Sequence, residues 1–339
     1  MRALVTGATG FVGGHVARAL VARGVEVRCL VRPESRSRGR SHWRHDNLAG
    51  LPVEIAPGDL TDRPSLDAAV AGCEQVFHCA ADYRLGGGDV AGMVAVNVGG
   101  TESLLAAAAR AGVGRVVHTS SVGTLGHRAD GGPADEETPV SIDDMVGAYK
   151  RTKFAAERTA EAWAARGLPV VIVNPSTPVG EGDWKPTPTG RMILDFLQRG
   201  YPAYVDTGLN LIDVRDVAQG HLLAAEKGRV GERFILGCRD MTLKEILDAL
   251  SALTGIPAPR RRVPHWLPLA ASCVEEGLAR LSGRPARFTP EAVRMSRQRM
   301  FFDAGKAVRE LGLPQTPVEE ALARAVAWFT DNGYVQGQG

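Results

Sequence analysis

The sequence predicts an α/β fold, a doubly wound parallel sheet followed by a smaller, mostly helical C-terminal cap. Three observations carry this expectation. Apolar, β-branched runs alternate with helical segments up to Asn174. A glycine-rich turn, Gly7-Ala8-Thr9-Gly10-Phe11-Val12-Gly13, separates the first such run from the first helix. Beyond Asn174 the rhythm breaks at two proline-rich stretches, 175–178 and 185–188. Parallel strands need crossover helices, and right-handed crossovers place those helices on both faces of the sheet.

Taken in order, residues 2–6 read as a buried strand and 11–22 as the first helix. Strands follow at 26–31, 53–55, 75–79, 115–119 and 169–174. The helices between them are expected at 64–71, 89–111 and 142–166. Further on, helices are expected at 191–199, 214–225, 242–253, 266–281, 290–297 and 318–332. Thr242, three residues before Glu245, has the pattern of a capping box. A run at 233–236 reads as a strand that returns to the sheet. The expected division is 1–175 for the sheet domain and 176–339 for the cap, which would bind substrate.

Composition narrows the function classes. The chain has 339 residues, 44% of them hydrophobic, enough for a sizeable core. A formal net charge of +2 gives no reason to expect nucleic acid or an anionic membrane as the main partner. Cys29, Cys73, Cys79, Cys238 and Cys273 are irregularly spaced and read as reduced residues of a cytoplasmic protein. No apolar signal core follows Met1-Arg2, and no uninterrupted apolar run of about 18 residues predicts a transmembrane helix. His42 and His45 flank Trp43 without an acidic or cysteine partner, so no metal is expected. Arg260-Arg261-Arg262 reads as a solvated edge. The apolar spacing over 266–281 leaves peripheral membrane contact open, with packing of the cap as the default.

The glycine turn sits where a dinucleotide-binding (Rossmann) sheet needs it. Gly7 permits a tight turn, Gly10 lets backbone approach a pyrophosphate, and Gly13 lets helix pack on strand. Thr9, Phe11 and Val12 belong to the same loop. The helix N-terminus offers N–H groups and a partial positive charge. The second strand ends in Val31-Arg32, with Val31 at the position where an acid would bind the adenosine ribose of NAD. A guanidinium there can pair with a 2′-phosphate, so Arg32 favours NADP(H); Arg36, Arg38 and Arg40 are weaker candidates. The alternative for this run is a solvated loop. Asp59-Leu60, after the third strand, could meet adenine.

Tyr149 and Lys153 are four apart and share a helix face. A phenol with a pKa of about 10 is a poor base until a nearby ammonium favours its anion. In the opposite direction the phenol is a proton donor. The fifth strand ends in His118-Thr119-Ser120-Ser121, at the end of the sheet where ligands bind, and Ser121 could orient a substrate oxygen.

Together Thr6–Gly13, Gly58-Asp59-Leu60, Phe77–Ala81, Asn97–Thr101, Thr119–Ser121 and Tyr149-x-x-x-Lys153 resemble the extended short-chain dehydrogenase/reductase superfamily in order and spacing. The resemblance implies Ser121, Tyr149 and Lys153 as catalytic residues. It places Ala80 and Ala81 near the cofactor's central ribose, with Pro175 and Ser176 also at the cofactor and Asn97 as a structural residue. It implies a homodimer through the helices at 89–111 and 142–166. Ala81–Leu85, Asn174–Gly180, Lys185–Gly190 and Ala203–Asn210 are similar to the bacterial hopanoid-associated sugar epimerase family, itself similar to dihydroflavonol reductases. One departure is Asp213, where many extended members carry His. Substrate contacts are expected from Tyr83, Ser121, Ser176, Thr177, Lys185 and Thr187.

Three functions follow as expectations. The first is an epimerase-type enzyme acting on a sugar or sugar-linked substrate and regenerating its cofactor each turnover. The second is an NADPH-dependent carbonyl reductase of the dihydroflavonol 4-reductase type. The third is a non-catalytic NADP-binding sensor or scaffold, which an intact Ser121/Tyr149/Lys153 set disfavours.

Overall fold

The computed structural model describes residues 1–33, 46–83, 89–270, 272 and 297–335. Its strands are β1 Arg2–Thr6, β2 Glu26–Val31, β3 Val53–Pro57, β4 Gln75–His78, β5 Arg115–Thr119, β6 Val170–Pro175, β7 Thr177–Val179, β8 Gly208–Asp213, β9 Arg233–Leu236 and β10 Arg239–Thr242. Seven of them form one parallel sheet in the order β3-β2-β1-β4-β5-β6-β9. The order reverses between β1 and β4. In a doubly wound sheet the crevice at that switch point is where ligands bind.

Helices cover both faces, which is why the central strands are mostly apolar rather than alternating; the edge strand β3, with Glu54, is largely exposed. Ala3 and Val5 of β1 enter one core with Val16, Ala17 and Leu20 of α1 (Phe11–Ala22). Leu4, between them, enters the other core with Leu66 of α2 (Arg63–Val70) and Leu104 and Leu105 of α3 (Val90–Arg110). Successive side chains of a strand point to opposite faces, so one pentapeptide serves both layers. β6 is buried at all six residues. By length and composition α3 could cross a bilayer, but Leu104, Leu105, Ala107 and Ala108 are buried in that second core.

Helix α4 (Gly147–Ala165) begins later than the pattern from 142 predicts. Ser141 and Asp144 close a separate single turn at Ile142–Asp144, and Gly147 then takes φ 84°. The helices α5 Pro188–Arg199, α6 Val214–Lys227, α7 Leu243–Thr254 and α8 Val318–Asp331 match expected segments to within a few residues. The Thr242/Glu245 capping box forms in both directions. β9 is the returning strand, paired parallel to β6.

The cap is less purely helical than its sequence suggests. β10, β8 and β7 form a small mixed sheet that packs with α5, α7 and α8 around a third core. Its outer strands have three and four residues and little apolar signature, too short for a period to show. Of the segment 266–281, the described residues are 266–270 and 272; the segment 290–296, the arginines at 36, 38 and 40, the histidines at 42 and 45, and Cys273 lie outside the described residues.

Candidate active site

β1 delivers the chain to Gly7, whose φ of 72° favours glycine. A Cβ at Gly7 would stand 2.7 Å from the amide nitrogen of Ala80, just beyond β4. At Gly13 one would stand 2.3 Å from the Gly7 carbonyl oxygen, because α1 rests directly on its own turn. Gly10 caps α1 without a side-chain acceptor, and the first turn carries no acid. The leading N–H groups of α1 are thereby left for an anion, as a pyrophosphate would supply. This cradle fits a dinucleotide. Asn47, which no motif singled out, is buried behind it and donates to the Gly10 carbonyl at 3.1 Å. His15 ties α1 to the Glu181 carbonyl at 2.9 Å.

A chain of hydrogen bonds links this cradle to the helix carrying Tyr149. The Ala80 N–H donates to Thr6 Oγ1 (3.2 Å), which lies 2.8 Å from His78 Nδ1. His78 Nε2 meets Thr101 Oγ1 at 3.0 Å, and that hydroxyl donates to the Asn97 carbonyl at 2.6 Å. The directions leave one consistent arrangement, with Nδ1 accepting and Nε2–H donating on a neutral ring. Asn97 holds Asp82 through both its amide and its carbonyl, and donates to Thr152 Oγ1 at 3.0 Å. Thr152 in turn donates to the Tyr149 carbonyl at 2.9 Å. Asn97 sits in a π-helical turn, Ala95–Gly99, inside α3; such turns re-aim side chains.

The Lys153 ammonium donates to the Thr119 carbonyl, the last of β5, at 2.7 Å. Tyr149 lies one turn earlier on α4. Ser121 follows β5 by two residues and opens the turn Val122–Thr124, its Oγ accepting the Gly123 N–H at 3.0 Å. A Cβ at Gly123 would stand 3.3 Å from that Oγ, a tight approach, and in ordinary contact with the Lys150 side chain of α4. Ser121 and the Lys153 ammonium are thus both at the C-terminal end of β5, with Tyr149 one turn before Lys153 on the same helix. Burial holds the Tyr149 phenol above its ordinary pKa, with Tyr83 adding to the effect. Burial brings Lys153 down to about 8, opposed by the charge of Glu157. The Tyr83 ring meets Tyr149 edge-on, centroids 4.3 Å apart.

The remaining sequence candidates take varied places. Arg32 is exposed at the end of β2, directly after buried Val31. Asp59 Oδ1 accepts from the Thr61 amide and hydroxyl, and the Leu60 side chain is buried against Gly100. Pro175 is buried at the end of β6, and the Ser176 hydroxyl is buried without a partner among the described residues, as an atom awaiting a ligand amide would be. Thr177 is half-buried in β7 and Lys185 is exposed. Thr187 caps α5, accepting from Gly190 and donating to Asp183. Asp213, the departure from the family pattern, caps α6 and pairs with Arg324. A single acidic residue ahead of a helix was the available signal.

Buried histidines surround the site. Burial lowers His78 to about 3 and His221 to about 4, and lowers His118 well below its usual value. The folded state then refuses protons that the unfolded chain binds below about pH 6.5. Stability should therefore be fully present above pH 6.5 and fall as the pH drops toward 4, by about 1.4 kcal/mol per pH unit for each such histidine. Denaturant unfolding at pH 7.5, 6 and 5 checks this; a flat profile would contradict neutral burial.

Comparison with known proteins gives a consistent picture. Residues 3–237 match the model of the NAD dependent epimerase/dehydratase family. The chain is 48% identical, over 98% of its length and 96% of the relative's, to a provisionally named dihydroflavonol 4-reductase of Synechocystis sp.. It is 40% identical to sterol demethylase protein B of Methylococcus capsulatus, covering 99% of this chain and 100% of the other. Among solved structures, gox2253 is 45% identical with a TM-score of 0.85, covering 98% and 99% of the two chains. PA4631, a nucleoside-diphosphate-sugar epimerase from Pseudomonas aeruginosa, is 30% identical with a TM-score of 0.78, covering 99% of each.

Proposed function

We propose, from the premise that the chain belongs to the NAD dependent epimerase/dehydratase family, that it is an extended short-chain oxidoreductase working as a carbonyl reductase with NADP(H) favoured. The observation that carries this reading is the Lys153 ammonium, pinned on the Thr119 carbonyl one turn from a phenol that burial keeps protonated. A protonated phenol is the state a carbonyl reduction needs. Tyr149 would give its proton to the substrate oxygen, Ser121 would donate to the same oxygen, and Lys153 would stabilise the phenolate left behind. When bound, the nicotinamide supplies the hydride.

The cradle of Gly7, Thr9, Gly10, Phe11, Val12 and Gly13 would hold the pyrophosphate. Arg32 would meet the 2′-phosphate, Asp59 and Leu60 the adenine side, and Ala80, Ala81, Pro175 and Ser176 the nicotinamide half. Tyr83 and Thr177 would border the substrate, with Lys185 further out. Exposed Val90, Val94, Ile142 and Val146 give α3 and the approach to α4 an apolar face suited to a homodimer.

A second reading is epimerisation of a sugar or sugar-linked substrate, including one of hopanoid synthesis. The likeness to a nucleoside-diphosphate-sugar epimerase favours it. Against it stand the reductase names among the relatives and the Val31-Arg32 end of β2. Purified protein should oxidise NADPH one-for-one with a ketone substrate and no added nucleotide sugar. Arg32→Ala should reduce the preference for NADPH over NADH by about tenfold, the worth of one charge-assisted contact. Unchanged preference would remove Arg32 from the site. Interconversion of sugar epimers without net nicotinamide turnover would replace the reductase reading.

A further inference from the structure

Glu157 lies one helical turn after Lys153 on α4 and is fully buried. A carboxylate costs several kcal/mol to bury unless it is paired and hydrogen-bonded. Here both oxygens are hydrogen-bonded, with the Ser120 hydroxyl adding to the pairing. Oε2 accepts from Thr124 Oγ1 and from Asn174 Nδ2, each at 2.8 Å. Oε1 accepts from Arg158 at 2.9 Å and Arg233 at 3.2 Å. Asn174 Nδ2, with two hydrogens, also donates to the Ser121 carbonyl at 3.1 Å, while the single Thr124 hydroxyl proton is shared between Oε2 and that carbonyl, 2.7 Å away. One buried anion on the helix of Tyr149 and Lys153 therefore holds the turn that presents Ser121.

We infer that Glu157 is a positioning residue of the active centre, fixing the Ser121 turn through Thr124 and Asn174 and setting the electric field at the Lys153 ammonium. This rests on the reductase reading of the same site. A structural ion pair would have no reason to grip both strand ends that frame Ser121. The charge acts on Lys153 alongside its other neighbours. Cys79 and His78 face the ammonium from the β4 side and His118 from β5. Glu157 in turn is faced by Arg233 from β9 and by Arg158 and Glu161 on its own helix. Among the described groups the Glu157 charge is the strongest influence that keeps Lys153 protonated against burial.

The two roles separate experimentally. Glu157→Gln keeps the shape and removes the charge. It should lower kcat about tenfold with the ketone KM and NADPH affinity near wild type. It should also move the alkaline limb of kcat about one pH unit lower, since Lys153 then loses its proton earlier. Thr124→Val, which leaves the charge, should lower kcat and leave the limb in place. Arg233→Gln removes a compensating cation, so it should move the limb higher. If Glu157→Gln does not fold, the last two variants decide the matter. Wild-type kcat in Thr124→Val together with an unmoved limb in Arg233→Gln overturns the inference, as does a Glu157→Gln enzyme with wild-type kcat and limb. Tyr149→Phe separates this from the underlying reading: if it abolishes turnover while these variants behave as wild type, only the Glu157 role fails; if it is fully active, both fall.

Discussion

Tyr149→Phe is expected to lower kcat about 10³-fold, within the range a positioned proton donor contributes. The substitution deletes one oxygen from a ring that stays packed edge-on against Tyr83. The Thr152 bond is to the Tyr149 backbone carbonyl, so the chain of contacts back to the glycine cradle is untouched. Lys153 keeps its anchor on Thr119. NADPH affinity, read by quenching or fluorescence titration, should therefore stay within about twofold, as expected for a residue acting in the transition state. Steady-state kinetics with any accepted ketone gives the other half. A Tyr149→Phe enzyme retaining a tenth of wild-type kcat would show that another group delivers the proton.

Gly13→Ala should have the second large effect, on binding rather than chemistry. Its Cβ would fall 2.3 Å from the Gly7 carbonyl oxygen, a backbone atom that cannot swing aside. α1 must tilt off the turn, and its leading N–H groups leave the line along which they would meet a pyrophosphate. Losing about two charge-assisted bonds weakens cofactor binding about 100-fold. The overpacking itself costs about 1–3 kcal/mol of stability. Gly99→Ala is the matched control, since a Cβ there meets nothing within 4 Å. Isothermal titration with NADPH and NADH, beside thermal melts of both variants, tests the contrast. Equal cofactor affinity in Gly13→Ala and wild type would mean that this turn is not the phosphate site.

The large sheet was legible because burial on both faces writes an apolar run into its central strands, and β6 is the extreme case. The glycine turn was legible because backbone contact leaves no alternative residue. Tyr149 and Lys153 stood out through helical spacing, and Ser121 through its place at a strand end. What the sequence hid is polar and long-range. His78, Thr101 and Thr152 are far apart in the chain and unremarkable singly, yet they join in space because β4, α3 and α4 meet there. Asn47 follows a stretch with no regular pattern. The outer strands of the small sheet escaped because three or four residues carry no measurable period; β8, with six residues, was missed as well. The capping role of Thr187 was not legible because a helix-capping hydroxyl and a ligand-facing one look alike in sequence.

The polar thread from Ala80 through Thr6, His78, Thr101 and Asn97 to Thr152 has a consequence for engineering. Its members come from β1, β4, α3 and α4, so the shortest contiguous fragment that contains it runs from Thr6 to Thr152. Anyone grafting the nucleotide half onto another scaffold would sever it unless these side chains travelled together. A graft that ends before α4 cuts the thread, and one that ends just beyond α4 keeps it but leaves β6, β9 and α6, which complete the large sheet and its first core, to be supplied by the recipient.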